Sequence, residues 1–407
     1  MGSIPDWTLE ITDMRKLTHT TVLAALLASA TLLVAPAAAQ EDGSFPAARW
    51  DNPDNDNFFK LRARLYADAA FIDWNGADLE ETELRTARLG FEGRWFDWAY
   101  KAEFDFAGDD VTAKGIELTY RGDGYSLTVG NLKTTNSLAE QTSSRYSTFM
   151  ERGTATDLFG LDRRIGGIFR TGGDNYSFAA GVFGGRLDDL SDGLDTDDTS
   201  AASARLTFTP VNDDNLVLHF GGSIRTLEYG DSGTRVRARP RFHTTDRIVT
   251  ADFRPGKPLG QADSSTLFGL EAAFVSGPFH GHAEYMTLDV DGPAGDPGFD
   301  SAFVNFGWFL TGETRSYRAS SGAFRRTSPA NPVSEGGMGA FELAVRYDTS
   351  DLNDVAAGDL TSWTLGLNWY VESHVRVMAN VIDAELSVPG APDIDVSGVQ
   401  FRAQWDF

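Results

Sequence analysis

The sequence contains no cysteine. A disulfide scaffold, a thiolate zinc site and a cysteine nucleophile are excluded together. Basic residues are scarce: 35 Lys and Arg stand against 59 Asp and Glu, a formal charge of −24. A chain this acidic lacks the basic footprint that nucleic-acid binding needs. Long apolar runs are missing as well, apart from residues 21–39, TVLAALLASATLLVAPAAA. Arg15 and Lys16 precede that run, and Ala37 and Ala39 stand in small-x-small spacing ahead of Gln40. This is the pattern of a secretory signal peptide, with Met14 as its natural start and residues 1–13 as an upstream extension. After cleavage near Ala39 no stretch is long enough for a transmembrane helix. An exported chain that is still integral to a membrane must span it as a closed barrel. P-loop, Rossmann glycine and G-x-S-x-G patterns are absent, so no enzyme and no cofactor is read here.

What the sequence has is alternation. Beyond a polar leader at 40–57, apolar and polar residues exchange every second position. In 98–106, Trp98, Tyr100, Ala102, Phe104 and Phe106 alternate with Ala99, Lys101, Glu103 and Asp105. A soluble sandwich also alternates; a membrane barrel inverts the pattern, with apolar residues to lipid and charges to a lumen. Export and the number of repeats favour the barrel. The alternation predicts an all-β fold of sixteen antiparallel strands at about 58–73, 83–96, 98–107, 112–121, 125–132, 163–171, 176–184, 200–210, 215–226, 264–276, 279–290, 298–312, 337–350, 358–371, 374–386 and 396–407. Even-numbered strands end in short periplasmic turns, and the other connections are longer. The exception is the turn after strand twelve, Thr311 to Gly336, long where a short one is due. The last strand presents Val399, Phe401, Ala403, Trp405 and Phe407 on one face, and its closure against strand one removes a free edge.

Nine strings then occur in order: LRTARLGFEG (84–93), YKAEFDFAG (100–108), LTVGNLK (127–133), QTSSRYSTFMER (141–152), RRIGG (163–167), AAGVFGG (179–185), WFLTGETRSYR (308–318), LGLNWY (365–370) and FRAQWDF (401–407). Together they resemble the phosphate-selective porins of the O/P type, from about Phe58 to Phe407. The resemblance implies a sixteen-stranded, homotrimeric barrel in the outer membrane of a Gram-negative bacterium. It also implies that the loops after strands five and nine, and the turn after strand twelve, fold into the lumen. The function expected is a water-filled, anion-preferring channel for phosphate or polyphosphate. The alternative is a general or differently selective diffusion porin on the same scaffold. Expected partners are further copies of the chain, lipid and lipopolysaccharide, and small anions such as phosphate.

Candidate anion-path residues follow from charge and spacing. Arg235, Arg237, Arg239 and Arg241 recur every second residue in RVRARPR, which in extended backbone makes a guanidinium ladder. Pro240 argues for a loop laid along the wall rather than a central strand. The alternative is a solvated or lipopolysaccharide-binding loop. Arg62 and Arg64, with Lys60, lie on the polar face of strand one, either as wall cations paired with acids or as selective groups. Arg85 stands where the family often carries an Arg-Arg pair, but Thr86 replaces the second. Ser143-Ser144-Arg145 stands where the family places its constriction motif, which points to Ser144 and Arg145 at the narrowest point. Asp188, Asp189, Asp192, Asp195, Asp197 and Asp198 read as a solvated surface, with divalent-cation bridging as the other reading. His280, His282 and Glu284 share a strand face, which reads as lumen polarity rather than a metal site. His219 has no evident serine partner for a barrel phospholipase.

Overall fold

A computed structural model describes residues 48–187 and 199–407. The signal segment, the first part of the leader (40–47) and the acidic run at 188–198 lie outside the described residues.

Sixteen strands close into one antiparallel barrel: β1 Phe58–Trp74, β2 Ala77–Trp95, β3 Trp98–Asp105, β4 Thr112–Arg121, β5 Tyr125–Lys133, β6 Arg163–Gly172, β7 Tyr176–Phe183, β8 Ser200–Asn212, β9 Leu216–Glu228, β10 Ser264–Ser276, β11 Phe279–Asp291, β12 Gly298–Phe309, β13 Ala340–Asp351, β14 Asp359–Glu372, β15 Val375–Ser387 and β16 Ile394–Asp406. β16 pairs back onto β1, with Asp406 opposite Arg64 and Val396 opposite Trp74. Below that seam the short strand Arg49–Asp51 covers β1 at Phe58–Lys60.

The side-chain pattern is inverted relative to a soluble protein. On β10, Phe268 and Leu270 are 47% and 65% exposed, while Glu271, the next residue of the same strand, is 6% exposed. Apolar groups face out all round the wall, and buried Arg, Glu, Asp and Asn face in. Only a lipid exterior makes that arrangement favourable. No helix among the described residues is long and apolar enough to cross a membrane.

The strands match the sixteen read from alternation, with two informative differences. The expected loop at 74–82 is a two-residue turn. Asn75 and Gly76 both have positive φ, 50° and 81°, and β2 runs on from Ala77 opposite Trp74. Asn-Gly is the pair that a tight hairpin turn of this hand requires. The second difference lies in the bulges, two of which carry basic residues. The register skips Arg85 between β1 and β2, and Lys114 between β3 and β4. A bulge re-aims its side chain and shifts the phase of the strand beyond it. Here both bulged cations turn into the lumen.

Candidate functional site

Three segments fill one side of the lumen. The loop after β5 carries a short helix Leu138–Gln141, a 3-10 turn Ser144–Tyr146 and a helix Thr154–Leu158. Its backbone would be left unsatisfied inside a barrel unless the wall supplied partners. The wall does so through inward polar side chains. Asn368 donates to the Thr148 carbonyl at 2.8 Å, Arg376 to Ser147 at 2.7 Å, Arg402 to Met150 at 2.8 Å and Arg346 to Glu151 at 2.8 Å. Asp348 accepts from the Thr154 N–H at 2.8 Å.

The loop after β9 forms a hairpin, Thr234–Ala238 paired with Val249–Phe253. Its underside, Val236, Ala238, Val249, Ala251 and Phe253, packs into an apolar core with Leu158, Phe159, Leu267, Leu288 and Phe299. Beyond the hairpin the chain crosses the lumen. Phe242 is fully buried among Ala70, Ile72, Ile382, Ala384 and Val396 of β1, β15 and β16, on the wall opposite β9. The turn after β12 crosses lower down. Arg205 donates to the Gly322 carbonyl at 2.7 Å, and Arg326 binds Asp406 and the Ser373 carbonyl. Tyr317 meets His219 at 2.5 Å. Burial pushes the Tyr317 phenol up to about 12, so it stays protonated there. All three segments expected to enter the lumen do so.

Together they displace the open path toward the wall of β1–β9. The remaining chamber has a volume of about 860 Å³. Among the described residues, twenty Lys and Arg line it against six Asp and Glu, namely Glu103, Glu117, Glu140, Glu151, Asp157 and Asp162. The molecule is acidic overall and basic where the water is enclosed.

All nine residues singled out from the sequence line this chamber. Their surroundings differ. Arg62 is paired with Glu92 and lies 3.6 Å from Glu103. Arg64 donates to the Ser144 hydroxyl at 2.9 Å and lies 3.3 Å from Glu103. Arg85 makes two 3.4 Å contacts with the Glu151 carboxylate. Arg145 lies 3.7 Å from Asp406 and 5.4 Å from the Tyr146 ring centre. The ladder is shorter than its spacing implies. Arg235 and Arg237 lie on the hairpin's chamber face and make no side-chain hydrogen bond or ion pair among the described residues. Burial first, then neighbouring Arg247 and Arg235, brings Arg237 down to about 10. Arg239 donates to the Thr245 carbonyl at 2.9 Å. Arg241 has φ 67°, which breaks the extended run after Pro240, and it donates to the Arg152 carbonyl at 2.6 Å. The last two rungs hold the loop.

The histidines on β11 serve separate pairs: His280 with Glu342 at 2.8 Å and His282 with Glu284 at 2.7 Å. His219 is buried against Tyr317 and Glu271, with no serine among its partners. The sequence reading missed Arg88, Lys101, Lys114, Lys133, Arg152, Arg163, Arg164, Arg170, Arg186, Arg225, Arg247 and Arg254, which also line the chamber. Lys101 was readable from the charged face of β3; Arg88 and Lys114 were hidden by the bulges.

Glu151 gives the docked loop a defined pH behaviour. Burial opposes its ionisation, but Arg85 and Arg402 outweigh burial and hold the carboxyl below the usual carboxylate range. A depressed carboxylate stabilises the docked loop at every pH above its unfolded value and stops doing so only as pH falls through the lower, folded one. Channel conductance is therefore expected to stay constant from neutral pH down to about pH 4. A conductance step near the ordinary carboxylate range in planar-bilayer recordings would contradict this.

The family model for phosphate-selective porin O and P matches residues 59–407. The chain belongs to this family. The porin is 27% identical over 399 residues to Porin O of Pseudomonas aeruginosa, covering 87% of this chain and 89% of that protein. It is 33% identical over 376 residues to a protein of Caulobacter vibrioides, covering 86% of this chain and 74% of that one. In fold it is similar to the anion-selective porin from Comamonas acidovorans, with a TM-score of 0.55 at 12% identity over 86% of this chain and 100% of that one. The porin is an outer-membrane channel, and its family and fold are those of a channel rather than an enzyme.

Proposed function

We propose that this porin conducts anions in preference to cations and takes up phosphate or polyphosphate. The observation that carries the reading is the lining of the chamber: among the described residues, twenty basic groups against six acidic ones, in a chain of net charge −24. Local rings of charge set selectivity, whereas global charge does not. Arginine predominates among the lining cations, and its planar fork matches a phosphate edge with two charge-assisted hydrogen bonds. The proposal includes cleavage near Ala39, a polar leader at 40–57 and a barrel at 58–407 that assembles as a homotrimer. A heat-resistant trimer in detergent is the expected result of native purification. A monomer that persists without heating would remove the trimer from the reading.

The direct test is the reversal potential of reconstituted channels in a potassium chloride gradient, repeated with added phosphate. Anion selectivity with phosphate block of the chloride current supports the reading; selectivity without block leaves a general anion porin. Arg235→Ala with Arg237→Ala is expected to lower the anion-over-cation permeability ratio while leaving the loop docked, because these two side chains hold no other group among the described residues. Unchanged reversal potentials would assign them to the surface.

A further inference from the structure

Positive charge is not spread evenly along the chamber. Toward the short-turn ends of the strands, cations are matched by carboxylates. Lys101 on β3 pairs with Glu117 on β4 at 2.6 Å, Arg62 on β1 pairs with Glu92 on β2, and Arg88 pairs with Asp105 at 2.8 Å. Arg64 lies 3.3 Å from Glu103, and Arg170 faces Glu117 as well. At the long-loop end the matching stops. Arg163 and Arg164 open β6, Arg186 follows β7, Arg225 stands near the end of β9, and Arg235 and Arg237 lie on the hairpin. Among the described residues, none of these six has a carboxylate within ion-pair distance; the nearby Asp157 and Asp252 lie beside Arg247 at 3.6 Å and Arg254 at 2.7 Å. The chamber is strongly positive at its mouth and close to neutral below.

We propose that this two-zone lining makes the porin a rectifier, which passes anions more readily inward than outward. The inference rests on the anion-channel reading and adds a direction to it. In the unmatched zone fixed positive charge excludes cations, so anions carry the current; in the matched zone both ions carry it. A field that drives anions from the loop end toward the turn end also drives cations up to the boundary, where they stop. Anions reach that boundary faster than they leave it. Salt accumulates there and conductance rises. The reverse field drains the boundary and conductance falls. Loops face outside and turns face the periplasm, so the favoured direction is uptake.

The test is the current of single channels at equal voltages of opposite sign in potassium chloride. The chain has no cysteine, so Thr250→Cys, exposed on the hairpin, reports orientation: a polyethylene-glycol maleimide too large to pass alters the current from that side alone. Inward anion current should exceed outward by roughly twofold or more in about 0.1 M salt, and the ratio should fall toward one in about 1 M, as the Debye length shrinks from about 10 to 3 Å. Two variants separate charge from shape. Arg163→Gln/Arg186→Gln/Arg235→Gln/Arg237→Gln should abolish rectification and lower anion selectivity. It spares Arg164 and Arg225, which donate to the Gly184 and Phe159 carbonyls. Glu92→Gln/Glu117→Gln extends the positive zone to the turn end. It should also abolish rectification, but raise anion selectivity, and it serves if the first variant yields no channels. Equal currents at both polarities in an anion-selective wild type, a larger outward anion current, or rectification unchanged in either variant overturns the proposal. A wild type without anion selectivity is a different failure, that of the anion-channel reading, and it is seen in the reversal potential.

Discussion

Phe242→Ala is expected to give channels of larger and noisier conductance. The loop after β9 is tethered at its own end by β9 and β10, and its apolar anchor on the far wall is this ring, beside polar contacts from His243 to Glu83 and from Gln400 to the Arg241 carbonyl. Phe242 is fully buried in a niche made by Ala70, Ile72, Ile382, Ala384 and Val396. Inward apolar residues in an aqueous barrel are costly unless covered, so niche and ring stabilise each other. Truncating a buried Phe to Ala costs about 3–5 kcal/mol. The polar contacts nearby are individually weaker, about 1 kcal/mol each. They are the Arg239 N–H to Asp157 at 3.0 Å, Arg241 to the Arg152 carbonyl at 2.6 Å and His243 to Glu83 at 2.9 Å. The ring is therefore the largest single contribution to docking. Losing about 3 kcal/mol raises the undocked fraction roughly a hundredfold. The hairpin core should survive, because Val236, Ala238 and Phe253 pack elsewhere. Phe242→Leu should keep most of the docking and a quiet channel. Recordings in which Phe242→Ala matches wild type in conductance and noise would show that the hydrogen bonds hold the loop without the ring.

The number of strands was legible because a barrel wall obeys one rule, period two with lipid outside, and a bulge does not change how many segments alternate. What a bulge changes is the phase. Thr86 and Arg88 face the lumen only because Arg85 is an extra residue in β2; strict alternation from Leu84 puts Arg88 on the lipid face. Lys114 is the same case, sharing sequence parity with outward Ile116 and Leu118. Periodicity read along one strand cannot detect an insertion relative to its neighbour. The two-residue turn at Asn75-Gly76 was legible in principle from its residue pair, but the charged run Asp78 to Glu83 reads as loop when the strand is assumed to stop at the apolar band.

For the site, residue type and spacing located the basic groups but not their partners. RVRARPR has uniform spacing, yet two of its arginines face open water and two hold backbone carbonyls. The difference comes from Pro240 and the left-handed Arg241, and from carbonyls contributed by residues 152 and 245. Partners brought together only by tertiary folding leave no mark in local spacing.

Arg145→Ala is expected to raise the phosphate concentration needed to block chloride current. Ser143 caps the turn that presents Arg145, and Gln404 on the wall holds the Arg145 carbonyl at 3.1 Å. The backbone is thus fixed independently of the guanidinium. Burial disfavours the charge of that group, but Tyr146, Asp406 and Glu103 outweigh it, so Arg145 stays protonated. Its one ion pair is long, 3.7 Å, and Asp406 has a nearer partner in Arg326. A charged fork fixed in place but not saturated can take a phosphate edge in a partly buried part of the chamber, where charge acts more strongly than in bulk water. Removing it should weaken block by roughly tenfold, the loss of one to two charge-assisted hydrogen bonds in a partly wet site. Arg145→Lys should recover part of this, since the charge remains and the fork does not. Thermal stability should change little in either variant, because Gln404 still holds the turn and Arg326 still holds Asp406. If Arg145→Ala leaves phosphate block at its wild-type value, the chamber's affinity resides in the arginines of β1 and β2, and Arg145 only lines the path.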